Sequence, residues 1–310
     1  MKVFSIPLRT RFRGITRREG VLIEGEAGWG EFSPFLEYDA ETIRPWWAAA
    51  REAADEGWPD PLRDRVPVNV TVPACDPARA AEIVRTGGCR TAKVKVAEPG
   101  QSLAHDQARL EAVRDAIGPD GLIRIDANGG WSVDEAVHRI PLLEKASGGL
   151  EYVEQPVAAV EDLAIVRRRV EVPIAADESI RRADDPYLVR DLAAADIAVL
   201  KVQPLGGVRA CLRVAEEIGL PVVVSSAVES SVGIAAGVAL AAALPELPYA
   251  CGLATVQMLR GDVTTDSLLP TDGFLPVRRV APDAAYEAVR ASDDRVQWWR
   301  ARIGKDVGHD

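Results

Sequence analysis

The sequence predicts an α/β protein: a parallel βα barrel preceded by a small α+β element. Three observations predict it. From residue 66 onward, short β-branched runs alternate with stretches rich in Ala, Leu, Arg and Glu at helical spacing, which is the pattern of a parallel sheet. Eight such runs start 23 to 31 residues apart, about one βα unit each, and eight units close into a barrel. After the first run the chain reads PACDPARA, with no G-x-G-x-x-G and no Walker lysine, which weighs against an open doubly wound sheet.

Taken in order, Val3–Leu8 and Val21–Glu26 read as antiparallel strands, followed by Gly28-Trp29-Gly30-Glu31-Phe32-Ser33-Pro34. Ala40–Glu56 then reads as a helix carrying Trp46 and Trp47. The strand-like runs of the barrel are Pro67–Val72, Thr91–Val96, Leu122–Asp126, Leu150–Glu154, Pro173–Ala176, Ile197–Lys201, Pro221–Ser225 and Pro248–Gly252. The helices between them include Pro77–Arg85, Leu103–Ile117, Val133–Lys145, Glu161–Val170, Val208–Ile218 and Val232–Leu244. After Gly252 the chain reads irregularly to about Val280; a polar helix from Asp283 to about Arg302 and a frayed tail close it. The expected organisation is an α+β unit of residues 1–65, completed by residues after about 255, a barrel of 66–254, and a segment of 255–310 lying on both.

Composition narrows the function. The chain has 310 residues, 47% apolar and 27% charged, enough to bury a core and shape a pocket. Its net charge of −10 opposes binding to a phosphate backbone, so no nucleic-acid partner is expected. The longest apolar run, Val232 to Leu244, falls short of the ~20 residues that span a bilayer. Pro7 and the arginines of MKVFSIPLRTRFRG interrupt any signal-peptide core, so a cytoplasmic protein without a membrane partner is expected. Cys75, Cys89, Cys211 and Cys251 form no C-x-x-C pair and read as free thiols. His105 and His138 fall in helix-like stretches and His309 in the tail. Acid–base chemistry therefore falls to Lys, Asp and Glu.

In a βα barrel the chemistry lies at the C-terminal strand ends. The second run gives Lys93-Val94-Lys95, and the period of two points both lysines to one face. Lysine is almost never buried without a reason, although a pair near a strand end can also snorkel. The third, fourth and fifth runs end in Asp126, Glu154 and Asp177. Any one of these can be a helix N-cap; three in register repel one another unless a cation sits between them. Oxygen ligands without His or Cys suit a hard ion, Mg²⁺ before Mn²⁺. The sixth run ends in Lys201, across the mouth from the first lysine pair. The seventh leads into Ser225-Ser226-Ala227-Val228-Glu229-Ser230-Ser231-Val232-Gly233, which reads either as plain N-capping or as a carboxylate or phosphate site at a helix start.

The series K-x-K, D-A-N-x-x-W, E-x-P, D-E-S and a sixth-strand lysine resembles the enolase superfamily, in its muconate-cycloisomerase-like subgroup; Gly28-Trp29-Gly30-Glu31 is similar to the capping-domain signature of that superfamily. Within the subgroup, the S-S-x-x-E-S-S-x-G segment and the compact chain resemble the o-succinylbenzoate synthase family. The resemblance covers most of residues 1–275 and implies an enolase-type (β/α)7β TIM-like barrel with a small α+β N-terminal capping domain. It implies a lyase of menaquinone biosynthesis that dehydrates 2-succinyl-6-hydroxy-2,4-cyclohexadiene-1-carboxylate to 2-succinylbenzoate through a metal-stabilised ene-diolate. Lys95 would be the base and then the acid, Lys93 and Lys201 electrostatic partners, and Asp126, Glu154 and Asp177 the Mg²⁺ ligands. Asn128 and Glu178 would stand behind those ligands, and Ser225, Ser226, Ser230, Gly252 and Arg124 would bind a small-molecule carboxylate substrate. An N-succinyl amino acid racemase shares the same lysines and is the alternative reading, with a non-catalytic binding barrel as the alternative from another class. A dipeptide epimerase would want carboxylates where the chain reads Tyr249-Ala250-Cys251-Gly252-Leu253-Ala254-Thr255, and a sugar-acid dehydratase a seventh-strand histidine; neither is present. The stretch before the barrel is shorter than in relatives, and Val202-Gln203 after Lys201 departs from many of them.

Overall fold

A computed structural model describes residues 1–183 and 185–307; His309 and the end of the expected tail lie outside the described residues. The chain begins with a three-stranded antiparallel sheet of β1 (Lys2–Phe12), β2 (Ile15–Gly25) and β3 (Gly28–Phe32). The third strand corrects the two-strand expectation. Its glycines weaken the local strand signal, yet Gly30 is needed there: a Cβ would stand 2.0 Å from the Ala50 carbonyl oxygen of α1 (Ala40–Arg51). Asp39 starts α1 by accepting from Thr42 N–H. The helix stops short of the expected Glu56 and passes into a π-helical turn, Glu52–Glu56. Glu52 there reaches across to accept from the backbone N–H groups of Val208 and Arg209.

The first barrel run splits in two. β4 (Arg65–Pro67) pairs antiparallel with β12 (Phe274–Pro276), and only β5 (Val70–Val72) joins the parallel sheet. That sheet continues through β6 (Thr91–Lys95), β7 (Leu122–Asp126), β8 (Val153–Glu154), β9 (Ile174–Ala176), β10 (Ile197–Lys201) and β11 (Val222–Ser225), neighbours in chain order. The expected eighth strand is reduced to Cys251 and Gly252, which bridge to Val68 on one edge and Ser225 on the other. Asn69 N–H donates to Cys251 O, and Gly252 N–H to Val224 O, so the sheet closes on itself.

The intervening helices are α2 (Pro77–Thr86), α3 (Leu103–Ile117), α4 (Val133–Ser147), α5 (Val160–Arg167), the short α6 (Glu178–Arg181), α7 (Leu188–Asp191) and α8 (Val202–Leu205), then α9 (Val208–Ile218) and α10 (Ser231–Ala243). The longest apolar run is α10, buried along almost its whole length. Among the described residues no helix is long and apolar enough to cross a membrane. The four cysteines are free. The C-terminal helix expected from Asp283 is two pieces, α11 (Tyr286–Val289) and α12 (Asp293–Asp306). Arg290, extended between them, bridges to Phe4 of β1. Trp299 of α12 is buried edge-on against Phe32 of β3, so the end of the chain covers its beginning.

Candidate active site

The strand register brings the charged residues to one level. Lys95 stands opposite Asp126, and Asp126 opposite Glu154; Lys201 stands opposite Ser225. Asp177 directly follows β9, and its N–H donates to Gln155 Oε1 at 3.0 Å. Gln155 is itself held left-handed, at φ 39°, and ties the ends of β8 and β9 together through Asp177 and Ser179. All three carboxylates, Lys93 and Lys201 are buried.

The ammonium groups stand on the carboxylates. Lys93 Nζ donates to Glu154 Oε1 at 2.5 Å and lies 2.9 Å from Asp126 Oδ2. Lys95 donates to Asp126 Oδ2 and, at 2.6 Å, to Asn128 Oδ1. Lys201 donates to Asp177 Oδ2 at 2.6 Å, while Arg181 Nε donates to the other oxygen at 2.8 Å. Asn128 in turn donates to Glu178 Oε1. Burial disfavours the charge on Lys93, but Asp126 and Glu154 outweigh it and hold this lysine above its ordinary value. Lys95 moves the other way: burial outweighs Asp126, and Lys93 beside it adds to the lowering. Burial and the neighbouring Asp126 push Glu154 up to about 7. Asp177, despite its burial, is held low by Arg181 and Lys201, and Asp126 by the two lysines of β6.

Lys93, Lys95, Lys201, Ser225, Ser226 and Gly252, among others, wall a cavity of only about 30 Å³; Asp126, Glu154 and Asp177 are not among its lining residues and meet it through the ammonium groups they hold. The tip of the β1–β2 hairpin closes it with Phe12 and Arg13, and the Lys95 ammonium lies 5.3 Å from the Phe12 ring centre. A larger cavity, about 370 Å³, adjoins it across Thr71, but none of the rim lysines or carboxylates lines it.

Two expected substrate contacts lie elsewhere. Arg124 sits one inward step below Asp126 on β7 and is fully buried beneath the rim; it donates to Tyr152 Oη, Ala250 O and Glu151. Ser230 caps α10 and donates to Glu31 of the first sheet. Other wall residues were not read from the sequence. Arg181 was within reach, because Asp177 and Arg181 are one helical turn apart. Phe12, Arg13, Phe35 and Thr255 arrive through long-range folding and leave no local signal.

Lysines on two sides of a closed parallel barrel, with three carboxylates on the strands between them and an α+β cap above, define a class of enzyme: the chain belongs to the enolase superfamily. Residues 76–284 match the family described as enolase C-terminal domain-like, and residues 3–54 the one described as enolase N-terminal domain-like. Within the superfamily its place is among the o-succinylbenzoate synthases. It is 66% identical to the o-succinylbenzoate synthase of Thermobifida fusca (strain YX) over 302 residues, 97% of this chain and 94% of that one. It is 54% identical to that of Mycolicibacterium smegmatis over 305 residues, 98% of this chain and 94% of the relative. Among solved structures it resembles the L-Ala-D/L-Glu epimerase from Bacillus subtilis, with a TM-score of 0.75 and 26% identity over 90% of this chain and 95% of that one. It shares its fold with the muconate lactonizing enzyme from Pseudomonas fluorescens, with a TM-score of 0.76 and 20% identity over 96% of each.

Enzymes of this superfamily typically use a divalent metal. Among the described residues no three His, Cys, Asp or Glu side chains are gathered as a ready metal cluster; lysines hold the carboxylates instead. The donor set still fits a hard divalent ion. It is all oxygen and buried, and the like-charge pressure on Glu154 is of the kind a cation relieves.

Proposed function

We infer that this chain dehydrates 2-succinyl-6-hydroxy-2,4-cyclohexadiene-1-carboxylate to 2-succinylbenzoate, as an o-succinylbenzoate synthase does. The observation that carries the mechanism is the placing of Lys95 and Lys201 on one cavity from β6 and β10, with Asp126, Glu154 and Asp177 on the strands between.

A lysine that removes a proton must first be neutral, and the surroundings of Lys95 favour the free amine. Lys95 takes the proton from the ring carbon that bears the carboxylate, and the electron pair moves into that carboxylate. The pair then returns to the ring as the neighbouring C–O bond breaks. Lys95, now an ammonium, protonates the departing hydroxide on the same face, leaving as a neutral amine beside water and an aromatic ring. Lys93, held as a cation by Asp126 and Glu154, and Lys201 from the other side stabilise the negative charge as it develops. Asp126, Glu154 and Asp177 would hold Mg²⁺, which when bound supplies positive charge beside the substrate carboxylate. Asn128 and Glu178 orient this group, and Ser225, Ser226 and Gly252 form the opposite wall for the substrate. The cap of residues 1–65, completed from the C-terminal segment, keeps water out over the barrel of 66–254.

The opposed lysines also suit a two-base exchange, so N-succinyl amino acid racemisation is the second reading. Turnover of the cyclohexadiene against a panel of N-succinyl amino acids separates them. Dehydration should have the higher kcat/KM, and a higher value for racemisation would reverse the order.

A further inference from the structure

The segment that carries the substrate wall from β11 into α10 contains a backbone outlier. Val228 is buried, faces the cavity and has φ 65°, a left-handed conformation that β-branched residues avoid. Such a residue persists where its surroundings over-determine it. Here the barrel side holds it through Ser226, whose Oγ donates to Gly252 O at 2.8 Å, and the first sheet adds a second hold.

On one side of Val228, Arg18 of β2 donates through Nε to Ala227 O at 3.2 Å. On the other side, the Glu31 carboxylate of β3 accepts from Ser230 Oγ, from Ser230 N–H at 3.3 Å and from Gly233 N–H at 3.1 Å. The two grips are joined. Arg18 donates to Ser33 O, and Ser33 Oγ donates to Glu31 Oε1 at 2.7 Å. Ser33 also exchanges hydrogen bonds with Gln203, two residues beyond Lys201. Within the loop, Glu229 adds to the hold, accepting from Ala227 N–H at 2.7 Å. Arg18, Glu31, Ser33, Gln203 and Ser230 are all buried, and none of them lines the cavity. Gly233 leaves the room this needs, because a Cβ there would stand 2.9 Å from the Glu31 carboxyl carbon.

We propose that Arg18 and Glu31 are positioning residues for the dehydration: from the cap, they hold the strained Val228 turn so that Ser225, Ser226 and Ala227 stand at the substrate. The inference rests on the reading of the cavity as the o-succinylbenzoate synthase site. It assigns the cap a part in catalysis that needs no contact with substrate.

The test is a cycle of Glu31→Gln, Val228→Gly and the double variant, with kcat and KM for the cyclohexadiene substrate and Tm for each. Glu31→Gln should lower kcat/KM about tenfold or more in protein that is still folded. Val228→Gly in that background should restore at least a third of the loss on a logarithmic scale, because glycine holds φ 65° without help. Unchanged kinetics in Glu31→Gln, or a loss that glycine does not rescue, overturns the proposal and leaves a merely structural bond. Arg18→Lys, with the same glycine rescue, takes its place if Glu31→Gln does not fold. Wild-type protein without dehydratase activity would instead overturn the functional reading. The crystal structure of Glu31→Gln then decides the inference alone: Val228 should leave the left-handed region, and an unmoved loop contradicts the clamp.

Discussion

Lys93 and Lys95 are two residues apart on the same face of β6 and are pushed in opposite directions, Lys93 by two carboxylates and Lys95 by burial and by Lys93. Groups driven apart in this way divide the roles of fixed cation and proton carrier between them. Arginine stays protonated in proteins, so Lys95→Arg should be as inactive as Lys95→Ala, a loss of about 10³-fold or more in kcat. Lys201→Arg keeps the charge that its role requires and should retain measurable turnover, provided the larger head group fits. Steady-state rates of the four single variants, with folding checked, decide this; an active Lys95→Arg beside a dead Lys201→Arg would place the base on the wrong face. The lysines and carboxylates were legible in the sequence because a strand's period of two and the βα spacing put them at one level. Arg124 misled for the same reason: the period correctly turns it inward, but nothing local says that one step down lies beneath the rim rather than in the cavity.

Elements that bury charge are where stability should depend on pH. Burial pushes Glu31 of β3 up to about 7 from 4.5, against the hydroxyls of Ser230 and Ser33 that favour its charge. Its folded-state value lies above the unfolded one, so the stabilisation is complete below about pH 4.5 and is lost as pH rises through about 7, about 3 kcal/mol at most. Urea unfolding between pH 4.5 and 8 should show Glu31→Gln with a flatter profile than wild type; parallel profiles would mean that Glu31 does not titrate in this window. On the same strand, Gly30→Ala drives a Cβ into the Ala50 carbonyl and should cost about 3 kcal/mol, read as a lower urea midpoint. This strand was missed in the sequence, as were β12 and the short helices α6, α7 and α8. Gly28 and Gly30 carry no strand propensity, and the reason for them, close approach to α1, is tertiary. The barrel strands were legible because they are largely buried on both faces and so are rich in Val, Ile and Ala. The split of the C-terminal helix at Arg290 was not, since it follows from a bridge to Phe4 at the far end of the chain.

Across the whole molecule a chain of net charge −10 concentrates its balance at the rim. Lys93, Lys95, Lys201 and Arg181 face Asp126, Glu154, Asp177 and Glu178 in one connected set of ion pairs and hydrogen bonds. A divalent cation and a dianionic substrate that enter together leave that balance unchanged, whereas either alone shifts it by two charges. Metal and dicarboxylate should therefore bind cooperatively. Calorimetry with Mg²⁺ should show about tenfold tighter binding when 2-succinylbenzoate is present, and equal affinities would count against the charge argument. Asp126→Asn, Glu154→Gln and Asp177→Asn should each weaken Mg²⁺ binding severely in the same titration. The most direct test of metal-assisted proton removal at this rim is turnover of 2-succinyl-6-hydroxy-2,4-cyclohexadiene-1-carboxylate by EDTA-treated protein before and after Mg²⁺ is added. The expected result is no turnover without the ion and full turnover with it. Full activity in metal-free protein, or none after Mg²⁺ is restored to folded protein, would contradict the account.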